Sequence, residues 1–331
     1  MCQPKLKKSR AIFSVFLPYI LSTIITACNT STSKPENTEI LTTKTEFNNS
    51  SQLKIVTTFL PIYWFTKAVT GDTAQVEILV NPGTEIHEYQ ATPSNLQTIS
   101  QADVLVKNGL GLEEFLENTV KNSQNAKLKE INASKGIKPL QDISPILEIE
   151  KSTDTKHPEH EHKSGNPHVW LDPVLVKQQI VNIRDNLILV DGKNKDIYTT
   201  NAAKYIQQLK ALDQEFKQEL SKYPNCSFIT FHDAYPYLAK RYNLKQLAVV
   251  KIPEDSLAPK EVQKTVEMVK KFQVKTLLGE PGVDNKLLES LAKDLKLKLY
   301  TLDSLESGEM QPEYYFTAMK KNLQTLANAC R

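Results

Sequence analysis

The chain has 331 residues, 40% hydrophobic and 24% charged, which at ~150 residues per domain makes room for about two folded domains and argues against a disordered chain. Its formal charge of +3 is too small for a broad basic surface, which argues against a nucleic-acid partner. The charge is also unevenly placed, since Lys5, Lys7, Lys8 and Arg10 crowd the start and no acid precedes Glu36.

An apolar run, AIFSVFLPYILSTIITA, fills 11–27, and Cys28 follows. A basic segment, an apolar segment and a small residue before the break form a secretory signal. Seventeen residues interrupted by Pro18 are short for a membrane span. Ile25-Thr26-Ala27-Cys28 resembles a bacterial lipobox, in which Cys28 becomes the lipid-bearing first residue. Residues 1–27 are thus expected to leave as a lipoprotein signal peptide, taking the formal charge from +3 to −1. Residues 28–51, rich in Ser, Thr, Asn and Glu, cannot offset the entropy of their own ordering and read as a flexible tether. Cys226 and Cys330 remain, either as a disulfide in an oxidising compartment or as two thiols. No CxxC pair occurs, which argues against a thiolate zinc site.

From residue 53 short β-rich runs alternate with helical stretches. LKIVTTF (53–59), QVEILV (75–80), DVLVKNG (103–109) and LKEINA (128–133) are predicted strands, with helices at 61–70, 93–101 and 113–122 between them. A helical stretch follows in two pieces, 173–189 and 195–222. In the second, Tyr205, Leu209, Leu212, Phe216 and Leu220 recur at helical steps, an amphipathic stripe suited to a stiff connector. A second series then begins with SFITF, QLAVV, VKTLLGE and KLYTLD, separated by helices at 234–241, 259–271 and 285–294, and a last helix follows Pro312. Strand and helix alternating at this spacing define an α/β fold of mainly parallel sheets covered by helices. The expected organisation is an N-terminal lobe (52–194), one long connector helix (195–222) and a C-terminal lobe (223–331).

Ligand-type residues gather at one kind of place. His87 follows the second strand, His232 follows SFITF, Glu280 ends VKTLLG and Asp303 ends KLYTL. Parallel α/β sheets bind ligands at the carboxyl ends of their strands. If the two sheets face each other, these loops converge in the interlobe cleft, which His168 of GNPHVWLDP also reaches. Three imidazoles and one carboxylate suit Zn²⁺ and neighbouring transition metals. Histidines beside strands also serve as hydrogen-bonded structural residues, so position by itself leaves both readings open.

NPGTEIHEYQATPSN (81–95), NPHVWLDP (166–173), FHDAYPYLAKRYNL (231–244) and TLDSL (301–305) together resemble the motif set of the zinc/manganese-binding solute-binding proteins of bacterial ABC metal importers, the zinc-uptake and adhesin-lipoprotein family. The resemblance covers 53–329. It implies two α/β lobes joined by one long helix, with His87, His168, His232 and Asp303 as metal ligands. It also implies zinc as cargo, because zinc-linked members carry His where manganese-linked members carry Glu, and position 232 is His. An ABC permease with a cytoplasmic ATPase would be the partner of a monomeric carrier held at a membrane by its lipid. Glu280 stands as an alternative ligand or outer support, and Asp172 as a hydrogen-bonding support for the metal-bound imidazoles. Glu85 and Glu88 flank His87, where they either tune its loop or form solvated surface. The loop KHPEHEHKSG, with His157, His160 and His162, resembles the His-rich insertion of zinc-type members but is short by family standards, and reads as a weak capture site or a plain solvated loop.

Competing readings are a manganese or iron carrier of the same family, a secreted zinc hydrolase, and a surface adhesin. Neither HExxH nor GxSxG occurs, and a catalytic zinc keeps an open water position that a fourth ligand would close. A carrier is therefore expected rather than an enzyme.

Overall fold

The structure, a computed structural model, describes residues 52–140, 165–250, 259–281 and 286–331. The 1–27 leader, Cys28 and its tether, and His157, His160 and His162 lie outside the described residues. The first sheet contains β1 (Leu53–Thr57), β2 (Ala74–Ile78), β3 (Val104–Lys107) and β4 (Lys129–Asn132). All are parallel in the order β2-β1-β3-β4, with Leu53 opposite Ala74, Ile55 opposite Val104 and Val104 opposite Lys129. Helices α1 (Leu60–Thr70), α2 (Pro93–Gln101) and the short α3 (Glu117–Asn122) connect these strands. α1 carries a Pro in its first turn, where no backbone N–H is missed. α2 starts on a capping box in which Thr92 accepts the Asn95 N–H and the Asn95 side chain accepts the Thr92 N–H.

Two longer helices follow, α4 (Pro173–Val190) and α5 (Lys195–Leu220). At 1.5 Å per residue the 26 residues of α5 extend about 39 Å. Its buried face is the stripe read from the sequence, Tyr205, Leu209, Leu212, Phe216 and Leu220, extended N-terminally by Tyr198 and Ala202.

The second sheet repeats the first. β5 (Ser227–His232), β6 (Lys245–Val250), β7 (Thr276–Gly279) and β8 (Lys298–Thr301) are parallel in the order β6-β5-β7-β8, connected by α6 (Pro236–Arg241), α7 (Pro259–Lys271) and α8 (Lys286–Leu295). α9 (Tyr314–Cys330) closes the chain. Cys226 and Cys330 are disulfide-bonded, with Cα atoms 5.5 Å apart, which staples the end of α9 to the start of β5.

Strand alternation divides the core. Phe228 and Leu278 join a large cluster shared with Trp64, Trp170, Tyr205, Phe216 and Tyr315. Their neighbours Ile229, Phe231 and Leu277 face the other way, into a smaller cluster with Leu247, Val249 and Leu288. One apolar core thus runs from the first sheet across α5 to the inner face of the second.

Each sheet has a crevice at the carboxyl end of its central pair, where the connections diverge to opposite sides. Between β1 and β3 the protein plugs it with a carboxylate of its own. Glu113 accepts the Thr58 hydroxyl (2.9 Å) and the Asn108 (2.6 Å) and Gly109 (2.9 Å) N–H groups. Burial raises its pKa in spite of these donors. Between β5 and β7 the equivalent crevice receives His232 and Glu280.

Candidate metal centre

Three imidazoles meet here through the same nitrogen. His168 Nε2 lies 3.1 Å from His87 Nε2 and 3.1 Å from His232 Nε2. The His87 side chain is 1% exposed, and His168 and His232 are buried. Glu306 completes a set in which one donor atom from each residue lies within 4.8 Å of all the others. For Zn–N bonds of about 2.0–2.1 Å, a tetrahedron has edges of about 3.3–3.4 Å, so the imidazole spacing is close to that of ligands around one ion.

Each donor is held by its own element. His87 sits in the loop after β2, where its backbone N–H donates to the Glu85 carboxylate (3.0 Å), and Ile86 beside it is fully buried. Glu85 therefore shapes this loop. His168 precedes the 3-10 turn Val169–Leu171 that leads into α4. Both its backbone N–H and its Nδ1–H donate to Asn166 Oδ1, each at 3.0 Å. With Nδ1 carrying the proton, neutral His168 presents a lone pair at Nε2.

His232 is the last residue of β5, and its Nδ1 contacts Glu280 Oε1 at 2.5 Å across the crevice. Burial by itself would lower the pKa of this imidazole. The adjacent Glu280 carboxylate outweighs burial, and with the fields of Glu306 and Glu85 it holds the pKa up to about 9. Glu280 thus stands behind the histidine, on the ring nitrogen that faces away from the other imidazoles.

The sequence places the carboxylate of the set at Asp303, whereas the structure gathers Glu306, and the turn after β8 explains the difference. Asp303 Oδ1 accepts the Leu305 N–H (2.8 Å), and the Asp303 N–H and C=O both bond to the Asn322 amide (2.8 and 2.7 Å). Burial, opposed by the Leu305 N–H, raises the pKa of this carboxyl group. Leu305 then takes a left-handed backbone (φ 68°), an unusual conformation for a bulky residue. The chain is redirected, and the side chain three residues later reaches the histidines. The rule that ligands sit at strand ends names Asp303; an Asx turn is the signal that points past it.

The Glu306 loop is anchored to residues outside its own lobe. Trp170 Nε1–H donates to Ser304 O (2.8 Å), the Gly83 N–H to Glu306 O (2.9 Å) and Trp64 Nε1–H to Glu309 O (2.8 Å). At Gly308 a Cβ would lie 2.3 Å from the Tyr314 ring, and φ is +140°, so only glycine fits. Trp170 and Trp64 are core residues whose indole N–H groups tie the loop.

Asp172 does not reach the imidazoles. Its carboxylate caps α4 through the Val174 N–H (2.8 Å) and receives Arg241 Nε from α6 (2.8 Å), a contact between the two halves of the chain.

Two parallel α/β units closed around an imidazole-rich centre define a metal-binding, bilobal class. The family described as zinc-uptake complex component A, periplasmic, matches residues 55–329, and the chain belongs to that family. It is 35% identical over 280 residues to the zinc-binding lipoprotein AdcA of Streptococcus pneumoniae serotype 4, covering 83% of this chain. The chain spans about half of that relative's length, 55%. It spans 89% of the high-affinity zinc uptake system protein ZnuA of Bacillus subtilis, with 31% identity over 287 residues, 85% of this chain. The crystal structure of the Zn(II)-bound ZnuA-like domain of S. pneumoniae AdcA superposes with a TM-score of 0.69 at 32% identity, covering 84% of this chain and 98% of that domain.

Proposed function

We propose that this chain is an extracytoplasmic carrier that captures Zn²⁺ between its lobes and delivers it to an ABC-type permease driven by a cytoplasmic ATPase. The observation that carries this reading is the convergence of three Nε2 atoms at 3.1 Å spacings with a carboxylate in reach. In this proposal His87, His168, His232 and Glu306 are the ligands, Glu280 orients His232, and Asp303 shapes the turn that delivers Glu306. Three nitrogens and one oxygen favour Zn²⁺ over Mn²⁺, which prefers oxygen-rich sets. Four side chains close the coordination sphere, which suits holding an ion rather than activating water on it.

In the metal-free chain His232 carries two protons, one shared with Glu280 and one directed at the His168 lone pair. Zn²⁺ takes the place of the second proton and links the same nitrogens. Release then requires the lobes or the Glu306 loop to part, which the permease would drive on docking. Cys28 is the proposed lipid attachment, with 29–51 as the tether of a monomeric carrier. No helix among the described residues is long and apolar enough to cross a membrane.

Calorimetric competition against a chelator of known affinity tests this reading, using metal-free protein lacking residues 1–28. One tight Zn²⁺ equivalent, much stronger than Mn²⁺ and lost in His232→Ala, is expected. Equal or tighter Mn²⁺ binding would overturn the cargo, and absence of a tight site would overturn the carrier.

A further inference from the structure

Asn166 contacts both a candidate ligand and the opposite half of the chain. Its Oδ1 accepts both the Nδ1–H and the backbone N–H of His168 (3.0 Å each). Its Nδ2–H donates to Asp233 O (2.8 Å), the carbonyl of the residue that follows His232. Its own carbonyl accepts the Tyr237 hydroxyl from α6 (2.6 Å), and its N–H donates to Leu140 O (3.0 Å). The amide has one workable orientation. Flipped, it would turn an NH₂ group towards two N–H donors of His168 and an oxygen towards the Asp233 carbonyl.

These bonds close a circuit. It runs from Asn166 Oδ1 through the His168 ring to His232 Nε2, along the backbone to Asp233 O, and back to Asn166 Nδ2. The circuit crosses between the two halves of the chain twice, once through the ligand nitrogens and once through the Asn166 amide. The Asp233 carbonyl and the His168 backbone N–H together fix the amide orientation, and the amide favours the lone pair on His168 Nε2.

We propose that Asn166 is a positioning residue that couples the Nε2-presenting tautomer of His168 to the contact between the lobes. Where the lobes part at Asp233, the amide keeps the His168 backbone N–H but loses the second partner that orients it, and its hold on the His168 Nδ1–H weakens. Metal capture and lobe contact then reinforce each other through one uncharged side chain. The affinity part of this proposal rests on the zinc-carrier reading, whereas the tautomer part concerns the metal-free protein.

The test compares Asn166→Ala and Asn166→Asp in the otherwise unaltered chain. Two-bond ¹H–¹⁵N spectra of the metal-free protein report the His168 tautomer, and chelator competition reports zinc affinity. The Nδ1–H form is expected in the parent chain and its share falls in Asn166→Ala, where the His232 Nε2 contact alone is left to favour it, with zinc binding weakened about 10- to 100-fold, the usual scale for supports of metal-bound histidines. Asn166→Asp keeps an oxygen for both His168 donors but has no donor for Asp233 O. It is expected to restore the Nδ1–H form and recover only part of the affinity. An unchanged tautomer in Asn166→Ala, or equal weakening by both variants with no tautomer change, would overturn the proposal. Should Asn166→Ala not fold, Asn166→Asp decides, since parent-like affinity there would remove the coupling through Asp233. If the parent chain lacks a tight zinc site, the carrier reading fails, and the tautomer comparison still judges Asn166.

Discussion

The assignment of Glu306 rather than Asp303 as the carboxylate ligand is tested by Glu306→Gln and Asp303→Asn side by side. Zinc held by four protein ligands is bound by about 10–16 kcal/mol, so an equal share is about 3 kcal/mol per ligand. At ~1.4 kcal/mol per tenfold, that share is about 100- to 1000-fold in Kd. Glu306→Gln keeps the shape and one carbonyl-type oxygen, which places it near 100-fold. Asp303→Asn retains an oxygen for the Leu305 N–H, and the Asn322 bonds to the Asp303 backbone are untouched. The turn therefore survives, and zinc Kd is expected within about threefold of the parent, one minor hydrogen-bond change being worth ~0.5 kcal/mol. Chelator competition at fixed pH resolves both values. If Asp303→Asn weakened zinc as much as Glu306→Gln, the turn argument would be wrong and Asp303 would be the ligand.

Zinc binding should release protons. With its pKa held up to about 9, His232 is protonated in the metal-free chain at pH 7.5. About one proton must therefore leave per zinc, and affinity falls about tenfold per pH unit below ~9 and flattens above it; calorimetry in buffers of different ionisation enthalpy measures this, and zero release refutes it. Loss of the Cys226–Cys330 bridge, which closes a separation of 104 residues, is expected to cost about 4–5 kcal/mol of stability on the chain-entropy argument. It should leave zinc Kd nearly unchanged, because the bridge sits at the amino end of β5 and His232 at its carboxyl end. Denaturant midpoints of Cys226→Ser with Cys330→Ser, alongside a zinc titration, check both halves, and a large loss of affinity would count against this separation. Replacing His157, His160 and His162 together with Ala should leave tight zinc binding within about twofold of the parent, about 0.4 kcal/mol. Loss of tight binding there would transfer the ligand assignment to the loop.

The alternation of strands and helices is legible in the chain before any folding, since β-branched apolar runs bounded by turn residues and a helical stripe are local signals. Strand-end position pointed to His87 and His232 but left a structural role open for each, and only the resemblance of the motif set joined them to His168, whose Nε2 the structure places 3.1 Å from both. The rest of the centre follows from packing between distant segments. Glu306 faces the histidines because an Asx turn at Asp303 and a left-handed Leu305 redirect the chain past the strand end, and strand-end counting does not follow a backbone reversal. Glu280 settled on the outer nitrogen of His232 because β7 neighbours β5, a pairing between residues 48 positions apart. Asp172, read as a support for the imidazoles, went instead to a helix cap and Arg241, since a carboxylate next to an N-terminal turn satisfies the nearest unpaired N–H. Asn166 acquired its role only when the chain brought Asp233 O to its amide. Which side chain has a donor or an acceptor is written in the sequence; which group it meets depends on contacts between distant segments, and those exist only once the core has packed.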